Sequence, residues 1–216
     1  MARLCFGITT CGIVSFVTTH MKTIDAKNAM IGYKVKKITY SDTKPFILNI
    51  HYAKRMPSIS HAFGLFKNDD MVGIVTYGSP ASPSLCKGIC GENWRKNVIE
   101  LNRLVLLNNI KNEASYLVAS SLKMLPFPLI VVSYADSAQN HVGYIYQASN
   151  FLFTGTTKPR TDMASKDGKH SRHSLNDRTD RVNRSAKHRY VIFVGDKRQK
   201  KLMLKDLRYP ILDYPK

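Results

Sequence analysis

The run Leu129–Val132, LIVV, passing directly into SYADSAQN, constrains the fold more than any other stretch of the chain. An unbroken apolar run rich in β-branched residues reads as a buried strand. The chain turns polar within a few residues, leaving Asp136 at the carboxyl end of that strand, where α/β sheets commonly place ligands. The same carboxylate serves equally well as a helix cap for the segment that follows. Local sequence leaves both roles open.

Around this strand the chain reads as a mixed α/β domain. YKVKKITY alternates apolar and basic residues, as a half-exposed strand does. Ser41 and Asp42 are cap candidates for a helix through PFILNIHYAKRM, with Pro45 in its first turn. HAFGLFKNDDMVGIVTYGSP predicts a hairpin turning at KNDD, PASPSLCKGICGENW a loop, and NVIELNRLVLLN a long strand. KNEASYLVASSLKML has helical spacing, with Leu117, Ser121 and Met124 beside Val118, Leu122 and Leu125 forming one stripe. HVGYIYQASNFLF predicts a helix ending near Gly155, RYVIFVG a last strand, and LKDLRYPILDYPK a closing tail.

The 216 residues suit one substantial core. Residues 1–30 read as a leader, an appended or mis-assigned start, and 31–216 as one domain with a basic insertion at about 156–189. The leader's apolar stretch is too short and Thr-rich to span a bilayer and has no A-x-A cleavage site. Its Cys5 and Cys11, with Cys86 and Cys90, read as reduced thiols of a cytoplasmic protein. The Cys86/Cys90 pair lacks the second Cys/His pair of a zinc site.

Charge points to the partner. Lys and Arg number 33 against 15 Asp and Glu, a net charge of +18, and such an imbalance suits a polyanion, nucleic acid before an anionic membrane. From Thr156 to Lys205 there are 15 Lys/Arg and five Asp, a net +10. Basic arms of this kind contact nucleic-acid phosphates and give binding a salt dependence. Candidates there are Arg160, Arg172, Arg178, Arg181, Arg184 and Lys187, joined by Lys54 and Arg55 of HYAKRMPS.

No Walker A loop, G-x-G-x-x-G, H-E-x-x-H or G-x-S-x-G occurs. The remaining polar groups stand at element ends. His51 and Tyr52 close a predicted helix, either as a cap or as a pair beside a pocket. Glu100 and Arg103 of IELNR suit surface pairing. NEAS opens a helix whose free N–H groups either bind an anion near Asn112 and Ser115 or are simply capped.

The order strand, helix, hairpin, long strand, helix, strand, helix, strand resembles the GNAT acyltransferase fold. That resemblance implies a mixed central sheet flanked by helices. It implies an acyl-CoA pyrophosphate at the helix after the fourth strand, a next strand that splays away, and Asn112, Ser115 and Tyr146 near the cofactor. The glycine-rich phosphate loop of that family is replaced here by NNIKNEAS.

A closer match joins several ordered motifs. HYAKRMPS, FGLF…VGIVTYGSP, IELNRLVL, NEASYLVASSLK, SYADSAQNHVGYIYQASNF and KHRYVIFV…LRYPILDYPK together resemble the Mom family of phage DNA-modification proteins, from about Tyr33 to Lys216. This implies conversion of adenine in double-stranded DNA to the N6-carbamoylmethyl form, protecting phage DNA from restriction. By motif, His51, Tyr52, Ser115 and Asp136 carry over as catalytic residues.

An adenine amine is a weak nucleophile, and joining it to a CH2 carbon is not ordinary acyl transfer. Acetyl-CoA or another activated two-carbon or glycyl donor is implied. His51, Tyr52 and Asp136 then form either an iron site of hard N/O ligands or a base with two orienting groups. Reaching the amine in a pocket requires flipping the base, with Tyr134, Tyr144 and Tyr146 as stacking candidates. An ordinary GNAT N-acetyltransferase and a non-catalytic basic DNA-binding protein are the competing readings. No membrane partner is expected, and monomer and homodimer are both open.

Overall fold

The computed structural model describes residues 30–165 and 178–216. The expectations for the leader, for Cys5 and Cys11 and for Arg172 lie outside the described residues. The strands are β1 (Tyr33–Lys37), β2 (His61–Lys67), β3 (Asp70–Gly78), β4 (Val98–Leu106), β5 (Leu129–Asp136), β6 (Leu152–Thr156), β7 (Arg160–Ser165), β8 (Arg178–Arg184) and β9 (Lys187–Val194). The helices are α1 (Tyr40–Pro45), α2 (Pro83–Cys90), α3 (Glu113–Met124), α4 (Tyr144–Ala148) and α5 (Lys197–Lys205).

Seven strands form one sheet in the order β1-β2-β3-β4-β5-β9-β6, while β7 and β8 pair as a separate hairpin. Among the described residues only β4 and β5 run parallel; every other neighbouring pair is antiparallel. This is the expected mixed α/β architecture. β5 sits near the middle and is covered on both faces. Val131 packs with Leu117 and Val118 of α3, whereas Ile130 and Val132 pack with Ile89 of α2 and Met203 of α5. Burial on both sides is why the LIVV run shows no polar alternation.

Helix α3 buries Leu117, Val118, Ser121 and Leu122, with Leu125 just beyond its end. The predicted stripe therefore holds except at Met124, which is 38% exposed. Ser121 is tolerated in the core because its hydroxyl meets the Tyr77 phenol at 2.6 Å.

Four local readings change. The first helix starts earlier than predicted, because Thr39 and Asp42 form a capping box. It continues as a π-helical turn, Phe46–Ile50, that seats Phe46 and Ile47 against Ile74 and Val105. His51 is already extended, so HYAKRM is loop rather than helix. The predicted loop contains α2: Pro83 occupies its first turn and the Cys86–Cys90 spacing is one helical turn. Helix α4 stops at Ala148, Asn150 turns the chain at φ 60°, and FLF enters β6. The charged stretch after β9 is α5, begun by an Asp196–Gln199 capping box.

The sheet opens between β4 and β5. β4 and β5 pair only from Val98↔Ile130 to Leu101↔Ser133. Beyond that, β4 stays with β3 and β5 with β9, so the two parallel strands part at their carboxyl ends.

Candidate active site

The lips of this opening carry several of the polar residues that the sequence singles out. On the β4 side the loop 51–60 is bound down by three hydrogen bonds, one of them from an amide that Thr76 holds in place. Ser60 N–H donates to the Tyr77 carbonyl at 2.7 Å, and the Asn102 amide donates to the Ser58 carbonyl at 2.7 Å while accepting from Thr76 at 2.6 Å. Arg103 donates to the Arg55 carbonyl at 3.0 Å. The sequence suggested that Arg103 pairs at the surface; instead its guanidinium is largely buried and ties this loop down. Burial lowers its pKa, as does neighbouring Arg55, and among the described residues its Nε–H has no partner. Spacing alone could not show this, since the partner carbonyl lies 48 residues away.

That loop presents His51 and Tyr52. Their rings stack at 4.4 Å and 28°, and Tyr52 meets His141 edge-on at 6.3 Å. His51 Nδ1 accepts the Ala53 N–H at 3.0 Å, which places the ring proton on Nε2. Burial, with Arg103 and His141 adding to it, lowers the His51 pKa to about 4. The imidazole is therefore neutral at neutral pH. The Tyr52 phenol, 55% exposed, is raised by burial and then by the nearby Asp136 charge, with Arg103 opposing. It stays protonated.

On the β5 lip Asp136 begins a 3-10 turn, Ser137–Gln139. Its carboxylate accepts from Ala138 N–H at 3.1 Å, from the Ser185 hydroxyl, and from Lys187 Nζ at 2.5 Å. Burial raises its pKa, but the bonds from Lys187 and Ser185, the Lys187 charge and the Ala138 N–H together hold it below the usual carboxylate range. The cap role is visible, since Asp136 accepts from the Ala138 N–H, and its charge lies near Tyr52.

Tyr146 is near enough to feel Tyr52 and is packed on Phe151 at 5.4 Å and Tyr190 at 5.3 Å. Burial raises its phenol to about 12, despite a hydrogen bond with Ser133. Tyr134 is also largely buried, whereas Tyr144 is 71% exposed, so Tyr144 is the free stacking face of the three. Asn112 and Ser115 sit apart at the start of α3, where Ser115 donates to the Asn112 carbonyl at 3.2 Å. Among the described residues no hydrogen bond or ring contact joins them to His51, Tyr52 or Asp136. Of the basic candidates, Lys54, Arg160 and Arg181 are exposed, Arg55 and Arg184 are half-buried, and Arg178 lies on β8 opposite Ser165. Lys187 is held by Asp136.

The iron alternative does not fit. His51 Nε2 offers a lone pair only if the proton moves to Nδ1, where it would face the Ala53 N–H donor. The Asp136 oxygens already take three donors, one of them a cation. Among the described residues no three of His, Cys, Asp and Glu converge as a metal cluster. A phosphate-bearing donor fits better. The first N–H groups of α3 lack intrahelical acceptors, Asn112 supplies no side-chain cap, and the buried Glu113 carboxyl turns away to accept from Tyr33 at 2.8 Å and Ile110 N–H at 3.1 Å.

The neutral state of His51 has a measurable consequence. Its folded pKa lies below the unfolded value, so between pH 6.5 and about 4 the unfolded chain binds more protons. Stability is present above that window and falls with pH through it, by about 1–2 kcal/mol once partial exposure is discounted. His61, also lowered by burial, adds a loss in the same direction. Urea midpoints from pH 7 to 4.5 should drop more for the parent than for His51→Gln. Equal drops would remove His51 as the cause.

Three comparisons bear on this geometry. The profile of the Mom protein family matches residues 32–216. The methylcarbamoylase mom of Escherichia phage Mu is 29% identical over 153 residues, 66% of this chain and 64% of that protein. The match thus spans a little under two thirds of the length of the curated relative. Similar solved structures include a Bacillus subtilis acetyltransferase in complex with CoA, at 9% identity and TM-score 0.45, covering 76% of this chain and 98% of that one. A probable acetyltransferase from Staphylococcus epidermidis has 10% identity and TM-score 0.48, covering 76% and 99%. A putative acetyltransferase from Salmonella typhimurium with its cofactor acetyl-CoA has 8% identity and TM-score 0.47, covering 76% and 95%.

Proposed function

The chain belongs to the Mom protein family, and from that premise we propose that it is a transferase modifying adenine in double-stranded DNA to the N6-carbamoylmethyl form, shielding that DNA from restriction. The observation that carries this reading is the convergence of His51, Tyr52, Arg103 and Asp136 on the opening between β4 and β5. The named relative is a methylcarbamoylase, and the +18 charge suits a DNA partner.

The residues assign themselves roles by protonation state. Tyr52 and the His51 Nε2–H are neutral donors, suited to hold acceptor atoms of a flipped adenine. Asp136, ionised and held by three donors, is suited to orient the exocyclic amine by accepting one of its N–H groups. Exposed Tyr144 supplies a face for stacking. The Ala114 and Ser115 N–H groups would hold the phosphates of a CoA-type donor, which supplies the activated two-carbon or glycyl unit. Bases enter by flipping, at a cost of about a few kcal/mol.

Expression in bacteria followed by mass spectrometry of total nucleosides tests this. Carbamoylmethyl-deoxyadenosine is expected. Acetylated protein or small amine with unmodified DNA would instead establish an ordinary acetyltransferase. DNA binding with neither product would leave a non-catalytic binder. Among the described residues no helix is long and apolar enough to cross a membrane.

A further inference from the structure

The π-helical turn just ahead of His51 puts apolar side chains in an unusual place. It closes through the His51 N–H to the Phe46 carbonyl at 3.0 Å, an i→i+5 bond. In an α-helix the residue four beyond Phe46 and three beyond Ile47 shares their face, so Ile50 would be buried with them. An i→i+5 closure spreads the chain over a wider turn than the 3.6 residues of an α-helix, and Ile50 falls short of that face. Ile47 is 0% exposed and Ile50 47%. Exposed apolar residues are ordinary when single. Here Leu48, Ile50 and Tyr52 alternate within five residues, all exposed. The last of them stands at the β4 lip, near the Asp136 charge. Ile50 is two residues from Tyr52, at most about 7 Å along the chain.

The charge around these side chains points to their occupant. No acidic residue occurs between Thr43 and Asn68, whereas Lys44, Lys54 and Arg55 do, and Lys44 and Lys54 are exposed. Asp42, just upstream, is turned back onto Thr39. Apolar tips among cations fit a polyanion with an apolar interior, which is what a stacked duplex offers. A second copy of the chain would bring the same positive charge to the contact. We propose that Ile50, with Leu48 beside it, is a wedge that enters the base stack next to the target adenine and fills the gap left when that base turns out toward Asp136. The inference rests on the DNA-modifying reading and names what that site does to its substrate before any bond forms. Apolar side chains pushed between base steps unstack and kink duplexes, and a stacked base must leave the stack to enter a pocket. Ile50 is a positioning residue: it helps extrude the base and contributes little once the target is already unpaired.

The test starts from a site mapped in DNA that the parent has modified in bacteria. Duplexes carrying that site are built with the target adenine either paired to thymine or set opposite an abasic position. Each is incubated with the full chain and a small-molecule extract of the expressing bacteria as donor, and modified deoxyadenosine is measured by mass spectrometry. Ile50→Ala should modify the paired duplex about tenfold less than the parent, or worse, the scale of one buried aliphatic side chain. On the unpaired target it should stay within about threefold. Ile50→Leu should keep most of the activity on the paired duplex. Circular dichroism should not change, because Ile50 is half exposed. Should Ile50→Ala fail to fold, Ile50→Thr keeps the β-branch and should show the same split. If the extract supports no turnover, 2-aminopurine at the target position gives the same comparison: the parent should brighten it on binding, and Ile50→Ala should not.

Equal losses on both duplexes, or none on either, overturn the proposal and leave the DNA-modifying reading intact. An Ile50→Ala protein that modifies paired DNA normally but no longer holds phosphatidylglycerol vesicles gives the patch to a lipid surface and overturns it too. A parent that modifies no DNA in bacteria ends the DNA-modifying reading, and this inference with it.

Discussion

Asp136→Asn is expected to lower adenine modification about 10²–10⁴-fold, the range for losing a positioned catalytic group, while duplex affinity stays within about threefold. Asparagine keeps the size of the side chain and one carbonyl oxygen for the Ala138 N–H and Ser185 hydroxyl. It removes the charge that faces Tyr52 and that pairs with Lys187 at 2.5 Å. The Lys187 ammonium, with its side chain 35% exposed, keeps partial access to water, so the lost charge-assisted bond costs roughly 1–3 kcal/mol. A folded, DNA-competent, inactive enzyme is the predicted phenotype. Nucleoside mass spectrometry and anisotropy on the same preparation check it. Parental levels of modified deoxyadenosine would remove Asp136 from the chemistry. Lys187→Met separates charge from geometry: it leaves the carboxylate in place without its partner, so activity should fall less than in Asp136→Asn.

The second large effect is structural. Gly78→Ala should destabilise the protein by about 3 kcal/mol or more and abolish modification with it. An added Cβ would stand 1.8 Å from the Ser58 carbonyl oxygen and 2.6 Å from its carbon. Those are backbone atoms of the loop that carries His51 and Tyr52, so no side-chain rotation relieves the overlap. Moving the loop would break the Asn102–Ser58 bond and the Ser60–Tyr77 bond together. Gly88→Ala is the informative contrast. It sits in α2, and its Cβ meets only the tip of Tyr209, the hydroxyl at 3.0 Å and Cζ at 3.9 Å, the far end of a side chain. There the gain in helix propensity, about 1 kcal/mol, offsets the contact. Urea midpoints for both variants decide the matter: comparable losses would show that the loop is not held by close backbone packing at Gly78.

How much of this was legible in the sequence follows from the range of the interactions involved. Period-two alternation and the LIVV run announced the strands, and the α3 stripe announced its helix, because each signal is local. The missed elements had local signals too, but these were outweighed. The Cys86–Cys90 spacing imitates half a metal motif and its surroundings a Pro/Ser loop, although one helical turn separates the thiols. Asp196 and Gln199 form a capping box inside a stretch read only for its charge. Thr39, rather than Ser41 or Asp42, is the true cap because Asp42 bonds back to it.

The site divides in the same way. His51, Tyr52 and Asp136 were named from motif likeness, and the structure brings them to one opening. Arg103 and the Lys187 clamp were not legible, since their partners lie 48 and 51 residues away in the chain. Lys187 was counted as a phosphate contact on charge alone. Tertiary placement gives it to Asp136.

The short parallel register between β4 and β5 has one more consequence. Four residue pairs, Val98↔Ile130 to Leu101↔Ser133, are all that stitch β1–β4 to β5, β9 and β6 within the sheet. Mechanically the sheet is two stiff slabs joined along one end of a seam, with α3 as a splint across it. A seam of this kind flexes where it is unstitched, so the gap can widen or pinch without either slab surrendering a hydrogen bond of its own. Opening of the gap is then a matter of hinge stiffness at Leu101 and Ser133, not of unfolding.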